Sequence, residues 1–354
     1  MPALADTGLD LVALTRTLVD IDSTTGRERD TALWLSRYLR QLGFVVDEQP
    51  VDDLRFNLVA TVDPAAPPAV VLSTHMDCVP PFFPSRVENG RIYGRGACDA
   101  KGILAAQIAA VDRLRREGES RVGLLFVVGE ERGSDGAKRA NLVPGGSRYL
   151  VDGEPTEGRL GVATRGILRV RLRANGRAAH SSFPELGESA IDKLIDALTL
   201  LRGIELPADP LLGRTHFTIG LIAGGVAPNV VPPSAEAEVM FRTVSAAAEV
   251  EACLRPLDRL VLVQHILEVP PVRMATVSGF DTAVFPFATD IPFLAAWGEP
   301  LLFGPGSIHV AHTAHEFIDI GEQASAVDAY VRIARALLAG QAVPTLGAGT
   351  GESS

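Results

Sequence analysis

The chain has 354 residues, of which 47% are hydrophobic and 21% are charged, and its formal net charge is −10. This length exceeds what one hydrophobic core usually serves, so two domains are expected. The acidic balance, without any block of five like charges, argues against nucleic-acid binding. Since no apolar run reaches 18 residues, no membrane span is expected.

Three cysteines occur in the chain, at Cys78, Cys98 and Cys253. An odd and sparse set of thiols predicts no disulfide framework and fits a reducing compartment. The first ten residues lack the basic start and apolar core of a signal peptide. We therefore expect a cytoplasmic protein.

The first part of the chain alternates predicted helices with predicted strands. Amphipathic periodicity predicts helices over residues 9–18, 27–42 and 101–117. Apolar runs predict strands over residues 57–62, 69–75, 122–129 and 149–152. Strands that alternate with helices indicate an α/β fold with a mostly parallel sheet covered by helices.

The pattern changes near residue 166. Residues 167–174 alternate apolar and basic side chains, which is typical of a half-exposed strand. The next elements are a helix over 188–202, strands over 216–223 and 235–243, a helix over 247–260 and a strand over 261–269. This order is the ferredoxin-like α+β unit. It predicts a second domain, residues 166–271, inserted into a first domain of residues 1–165 and 272–342, with a disordered tail over 343–354.

Acidic and imidazole side chains follow the predicted strands of the first domain. These residues are His75, Asp77, Asp99, Glu130, Glu131, Glu154, His309, His312 and His315. Each alone has an ordinary explanation, since a loop histidine is usually solvated and an Asp near a helix start usually caps it. The carboxyl ends of strands in an open α/β sheet, however, border the expected ligand site.

Several carboxylates converging on one edge stay ionised only with a cation among them. Mixed histidine and carboxylate ligands suit Zn²⁺, with Mn²⁺ and Co²⁺ as chemical substitutes. The adjacent Glu130 and Glu131 would point to opposite faces if their strand continued, so the strand is expected to end there. The spacing of His309, His312 and His315 permits a three-histidine site, although we favour His312 alone.

Seven segments together resemble the dinuclear zinc family of acetylornithine deacetylase, succinyl-diaminopimelate desuccinylase and glutamate carboxypeptidase. They follow the family's order over roughly residues 70–320: STHMDCVP, GRGACDAKG, GEERGSDGAK, GEPT, GRAAHSS, GGVAPNVVP and FGPGSIHVAHTAHEF. The resemblance implies a zinc-peptidase-like catalytic domain holding two Zn²⁺ per subunit, with Co²⁺ or Mn²⁺ possible. It also implies that the inserted domain is a lid that forms a homodimer.

The same resemblance assigns roles to single residues. His75 and Glu154 would bind one metal, Glu131 and His312 the other, and Asp99 would bridge both. Asp77 matches the carboxylate that orients the metal-bound histidine, and Glu130 matches the general acid/base. His180 would reach the partner subunit's site and stabilise the oxyanion. The positions that match substrate-side residues are Arg165, Asn229 and Arg242.

The implied activity is hydrolysis of an amide bond by metal-activated water with a glutamate base. We expect the substrate to be an N-acyl, first of all N-acetyl, amino acid such as N-acetylornithine or N-acetylcitrulline. Alternatives on the same scaffold are a succinyl-diaminopimelate desuccinylase, a carrier-protein lysine or ornithine hydrolase, and a dipeptidase or carboxypeptidase of short peptides. Departures from the family pattern at Met240 and His315 leave the substrate open. A remote alternative is a non-catalytic dimeric binding module.

Overall fold

The computed structural model describes residues 8–344. The α-helices in this range are α1 (Leu11–Asp20), α2 (Arg29–Gln41), α3 (Lys101–Arg116), α4 (Asp135–Asn141), α5 (Ala190–Arg202), α6 (Ala247–Leu254) and α7 (Ile320–Leu338). The strands are β1 (Val45–Pro50), β2 (Phe56–Thr61), β3 (Val70–His75), β4 (Arg86–Glu88), β5 (Arg91–Tyr93), β6 (Val122–Val127), β7 (Tyr149–Asp152), β8 (Leu160–Thr164), β9 (Gly166–Asn175), β10 (Ala208–Asp209), β11 (Gly213–Arg214), β12 (His216–Gly224), β13 (Ser234–Thr243), β14 (Leu262–Val269), β15 (Val272–Arg273), β16 (Thr276–Val277), β17 (Thr282–Phe285), β18 (Glu299–Leu302), β19 (Phe317–Asp319) and β20 (Ala342–Val343).

The chain divides into two compact units. Unit 1 contains the described residues up to Val162, Arg273–Ala283 and those from Thr289 onward. Unit 2 contains Ala163–Val272 and Val284–Ala288. The chain leaves unit 1 and returns to it at neighbouring points, because the amide of Met274 donates to the carbonyl of Val162 at 3.1 Å.

Unit 1 is built on a mixed sheet with a parallel centre. The neighbours β6, β3, β7 and β18 are parallel, while β2 lies antiparallel to β6 and β1 antiparallel to β2. Every residue of β3 and β6 is buried. Parallel strands are typically covered on both faces, which explains their continuous apolar runs. The predicted α/β fold with a mostly parallel sheet is confirmed.

The two faces of this sheet pack against different partners. Val70 and Leu72 of β3 belong to the larger core, together with apolar residues of α1, α2, α3 and α7. Val71 between them belongs to a smaller core that includes α4 and Trp297. This alternation follows from the period of two in a strand.

Several predicted boundaries differ from the structure, and three of these differences affect how the fold is described. The strand predicted over 122–129 ends at Val127. The helix predicted over 247–260 ends at Leu254, and a 3₁₀ segment follows because Pro256 has no amide hydrogen to continue the α-helix. The tail predicted from residue 343 starts too early, since Val343 of β20 pairs with Thr276. Residues 345–354 of that tail lie outside the described residues.

Unit 2 has the strand order β12-β13-β9-β14, with every pair antiparallel. With α5 after β9 and α6 after β13, this is the ferredoxin-like arrangement. Leu168, Val170 and Leu172 of β9 are buried in its core with residues of α5 and α6. On the opposite face Arg171 pairs with Glu238 at 2.6 Å across the strands.

Strand β12 forms one edge of the unit 2 sheet, and its outer side has no partner strand in the described part of the chain. Leu221 and Ile222 on this strand and Val226 just after it are exposed. Among residues 8–344, none of the helices combines the length and apolar character that crossing a bilayer requires.

Candidate metal centre

The strands of unit 1 bring several predicted residues to one edge of the sheet. β3 ends at His75, which lies opposite Val127 at the end of β6. Ser73 lies opposite Asp152 at the end of β7, two residues before Glu154. Because these strands are parallel, their carboxyl ends form one rim, where ligands of open α/β sheets bind.

Glu130 and Glu131 lie on a 3₁₀ turn beyond β6. Gly129 has φ 75°, a left-handed conformation that favours glycine, and the turn Glu130–Arg132 follows it. The break at Gly129 ends the strand alternation, so the two carboxylates need not face opposite sides of the sheet. The two residues consequently take different places in the site.

The first ligand group consists of His75, Asp99 and Glu154, and all three side chains are buried. The imidazole Nε2 of His75 lies 3.0 Å from Oδ1 of Asp99. One ligand atom from each residue lies within 4.8 Å of the others. Asp99 stands just before α3, while His75 and Glu154 lie at or just beyond strand ends.

The second ligand group consists of Asp99, Glu131 and His312. Nε2 of His312 lies 2.8 Å from Oε1 of Glu131 and 3.3 Å from Oδ2 of Asp99. The two oxygens of Asp99 therefore face different histidines, the arrangement that a bridging carboxylate requires. His312 has φ 63°, which histidine adopts infrequently.

Burial and neighbouring charges shift the pKa values of the carboxyl groups in this site. Burial raises the pKa of Glu154 well above its usual range, and the charges of Asp99 and Glu130 add to the rise. Burial also raises the pKa of Glu131. The pKa of Asp99 is lowered because bonds from His312 and His75 outweigh the effect of burial.

This donor set fits a pair of divalent cations. Each group offers one imidazole and two carboxylates, which suits Zn²⁺ and chemically similar ions. The raised pKa values of Glu154 and Glu131 reflect buried negative charge that cations would compensate. Among the described residues, these are the two sets with the spacing of metal ligands.

Asp77 is a fully buried hub between the two groups. Its carboxylate accepts bonds from the amides of Glu130 at 3.1 Å and Glu131 at 3.2 Å, and from the hydroxyl of Thr25 at 2.8 Å. One of its oxygens lies 3.4 Å from Nδ1 of His75. Asp77 therefore contacts a histidine of the first group and the turn that carries Glu131 of the second.

Glu130 belongs to neither ligand group. Burial raises the pKa of its carboxyl well above the usual value, against the opposing influence of His75. Neighbouring carboxylates, including Asp290, add to the rise. A carboxyl with a raised pKa is suited to accept a proton and to return it.

Of the three closely spaced histidines, His312 alone joins a ligand group within the described part of the chain. His309 and His315 are exposed. The backbone amide of His309 donates a hydrogen bond to the hydroxyl of Ser307, and that of His315 donates to the hydroxyl of Thr313. The geometry gives no support to a three-histidine site.

The remaining predicted residues lie in unit 2, where they form two small sets. His180 and Val230 form an isolated antiparallel β-bridge, and the amide of Ser181 donates to the carbonyl of Asn229 at 3.0 Å. The loops that carry His180 and Asn229 are thus joined.

The second set joins the two predicted arginines. Nη1 of Arg165 lies 2.8 Å from Nδ1 of His216, and His216 is the cross-strand partner of Arg242. Burial lowers the pKa of Arg242. His216 was not among the predicted site residues, because its place opposite Arg242 depends on strand register, which a single sequence specifies weakly.

The sequence profile of Peptidase family M20/M25/M40 matches residues 71–336. A peptidase M20 domain-containing protein of Schizosaccharomyces pombe is 36% identical over 345 residues, covering 94% of this chain and 86% of that protein. A probable carboxypeptidase of Aspergillus terreus is 38% identical over 369 residues, covering 91% and 85%. The crystal structure of aminopeptidase PepT from Bacillus cereus superimposes with a TM-score of 0.77 at 20% identity, covering 95% of this chain and 100% of that one.

The fold and the paired ligand groups define a metallopeptidase-type hydrolase. The chain belongs to Peptidase family M20/M25/M40. Membership of the broad family predicted from the motifs is confirmed, and the enzyme class with it. The narrower preference for acetylornithine deacetylases finds no support among these relatives, of which one is named a probable carboxypeptidase and one an aminopeptidase.

Proposed function

We propose that this chain is a metal-dependent carboxypeptidase or dipeptidase that hydrolyses an amide bond in short peptides with a free carboxyl terminus. The observation that carries the proposal is the geometry of unit 1: two ligand groups share Asp99, and Glu130 lies outside both. The names of the relatives favour peptides over the N-acetyl amino acids expected from the motifs.

Each residue of the site has a proposed task. His75 and Glu154 would hold one cation and Glu131 and His312 the other, with Asp99 between them. We propose Zn²⁺, with Co²⁺ or Mn²⁺ as substitutes. When bound, such ions polarise a carbonyl and acidify a water molecule.

Glu130 accepts a proton from the attacking water and delivers it to the leaving amine. Its raised pKa suits the second half of this task, in which the carboxyl is the proton donor. Asp77 fixes the turn by accepting the amide hydrogens of Glu130 and Glu131. A carboxylate in this position also keeps His75 oriented.

The arginine set of unit 2 is the proposed recognition site for the substrate carboxylate. Arg165 and Arg242 both neighbour His216, and a guanidinium can bind a carboxylate with two parallel hydrogen bonds. Asn229 is proposed as a further substrate contact on the strength of the family resemblance.

An assay with matched substrates tests this function. Dipeptides with a free carboxyl terminus should be hydrolysed, while their carboxyl-terminal amides should lose about 10- to 100-fold in kcat/KM. Arg242→Gln should reduce that difference, whereas Arg173→Gln, on the exposed face of β9, serves as the control. N-acetylornithine, N-acetylcitrulline and N-succinyl-diaminopimelate belong in the same panel. Turnover confined to these acylated amino acids would reject the peptidase proposal and restore the deacetylase or desuccinylase alternative.

We also propose a homodimer through unit 2. Within residues 8–344 the outer edge of β12 has no partner strand, and the side chains of Leu221 and Ile222 are exposed. Both features support the dimer, since an edge strand with apolar residues readily pairs with a second copy. In such a dimer His180 of one subunit would stabilise the oxyanion in the other subunit's site.

Mixing two inactive variants tests the dimer and the role of His180. His180→Ala and His75→Ala should each lose activity, and a heterodimer of the two should regain one competent site. Purified heterodimers that stay inactive would contradict action of His180 across subunits. Glu236→Gln, a substitution on the face of the unit 2 sheet, is the control and should keep wild-type activity by itself.

A cytoplasmic location stays part of the proposal. All three cysteines are free, and burial raises the pKa of Cys78 and Cys98. Unpaired thiols support a reducing compartment, which subcellular fractionation can test.

A further inference from the structure

We propose that the buried ion pair of Arg95 and Glu316 is a clamp that positions Asp99 and His312 and so sets metal affinity in the second ligand group more than in the first. The inference rests on the proposed metal dependence. It concerns positioning residues, because neither side chain belongs to a ligand group.

The ion pair is enclosed by protein. Nη1 of Arg95 lies 2.6 Å from Oε2 of Glu316, and the two residues are 1% and 0% exposed. Arg95 also donates from Nε to the carbonyl of Pro81 at 3.2 Å, and its guanidinium lies 5.0 Å from the ring centre of Phe83. A buried pair with extra hydrogen bonds is geometrically fixed.

The other oxygen of Glu316 holds the backbone of a predicted ligand. Oε1 accepts the amide hydrogens of Cys98 and Asp99, each at 3.1 Å. The carbonyl of Glu316 accepts the amide of Gly94 at 3.1 Å. Just beyond, Phe317 of β19 pairs with Tyr93 of β5. The segment before Asp99 is thus attached along its length to the segment after His312.

The places of the pair in the sequence explain why the second group should depend on it more. Glu316 follows His312 by four residues, and Arg95 precedes Asp99 by four. The pair therefore links two loops that each supply a ligand to the second group. In the first group, His75 ends a buried strand of the main sheet, so only Asp99 depends on the clamp.

Variants must avoid leaving a buried charge alone, because that would unfold the protein for an unrelated reason. The double variant Arg95→Met with Glu316→Ala removes both the charges and the acceptor for the two amides. The double variant Arg95→Met with Glu316→Gln removes the charges and keeps an acceptor at Oε1. Leu39→Ala, a core truncation in α2, is the control for lost stability without contact to a ligand.

The test measures metal binding by the full chain, with no peptide present. Metal-free protein is titrated with Zn²⁺ against a chromophoric chelator, and the sites are assigned with His312→Ala, which lacks a ligand of the second group alone. The Arg95→Met/Glu316→Ala variant should lose about 10- to 100-fold in affinity at the second group and much less at the first. The Arg95→Met/Glu316→Gln variant should recover part of that loss. The absorption of the Co²⁺-loaded protein should change in the same order.

Equal losses of metal affinity at both groups would overturn the proposed clamp. The same holds if Leu39→Ala, at the same drop in Tm, reproduces the loss of affinity. If the first double variant does not fold, Arg95→Lys keeps the charge without the Nε bond to Pro81, and the same selective loss is expected of it. Wild-type protein that binds two ions and hydrolyses no peptide would reject the proposed function while leaving this test in force.

Discussion

The two ligand groups share Asp99 but differ in what holds their other members. His75 and Glu154 are buried and lie at the ends of central strands. Glu131 lies on a 3₁₀ turn, and His312 lies on an irregular loop with 47% of its side chain exposed. Elements packed in a core open less often than exposed loops. The carboxylate of Asp99 therefore joins a fully buried ligand group to one that contains an exposed histidine.

Glu130→Gln should give the largest change in rate, because it removes the proposed proton carrier, which belongs to neither ligand group. We expect kcat to fall by about 10²- to 10⁴-fold with two ions still bound. Metal analysis and steady-state kinetics on the same sample measure both. A near-normal rate would remove Glu130 from the base role, and Glu249→Gln on exposed α6 is the control.

His75→Ala and His312→Ala should affect metal binding at the two ligand groups differently. His312→Ala should lose the second ion and keep the first, since His312 contacts only Asp99 and Glu131 among the ligands. His75→Ala should weaken both ions, because it opens a buried space beside Asp77 and Asp99. The losses of metal affinity should exceed the roughly 10- to 100-fold that is lost when a residue hydrogen-bonded to a metal ligand is replaced. Equal losses in the two variants would contradict the difference in rigidity.

Metal binding at the second group should weaken as the pH falls. Bonds to Asp99 and Glu131 raise the pKa of His312 from 6.5 to about 10 in the metal-free protein. A metal binds only the neutral ring, so the proton must leave. Between pH 6.5 and about 10, affinity should therefore fall roughly tenfold for each unit of decreasing pH. Titration of the His312 ring by NMR checks the cause, and a midpoint near 6.5 would contradict it.

His309→Ala and His315→Ala should have the smallest effects. Both side chains lie outside the ligand groups and are exposed, so metal content and kcat/KM should stay within a factor of about two of wild type, as for most surface substitutions. A lost metal ion in either variant would revive the three-histidine site.

The sequence predicted the parts of this molecule that depend on local pattern. Buried runs such as β3 and β6, and the alternation along β9, follow from the period of side chains in a strand. The motif order pointed to Asp99 and Glu131, which the fold brings within reach of His312.

Contacts between residues that are far apart in the sequence could not be predicted. Arg95 and Glu316 are separated by more than two hundred positions, and each alone reads as an ordinary charged residue. The place of His216 beside two arginines depends on the register of β12 against β13. The hub at Asp77 likewise depends on a turn that begins at Gly129, the last residue of the strand predicted over residues 122–129.

The hydrogen bond between Met274 and Val162 has a consequence for how the chain can evolve. The long insertion from Ala163 to Val272 begins and ends at one point of unit 1. An inserted domain whose two ends lie close together can be lengthened, shortened or exchanged without changing the fold of the domain that carries it. All five proposed metal ligands lie outside that insertion. The proposed substrate contacts and the proposed subunit pairing of the insertion can therefore diversify while the proposed metal ligands and Glu130 are inherited unchanged.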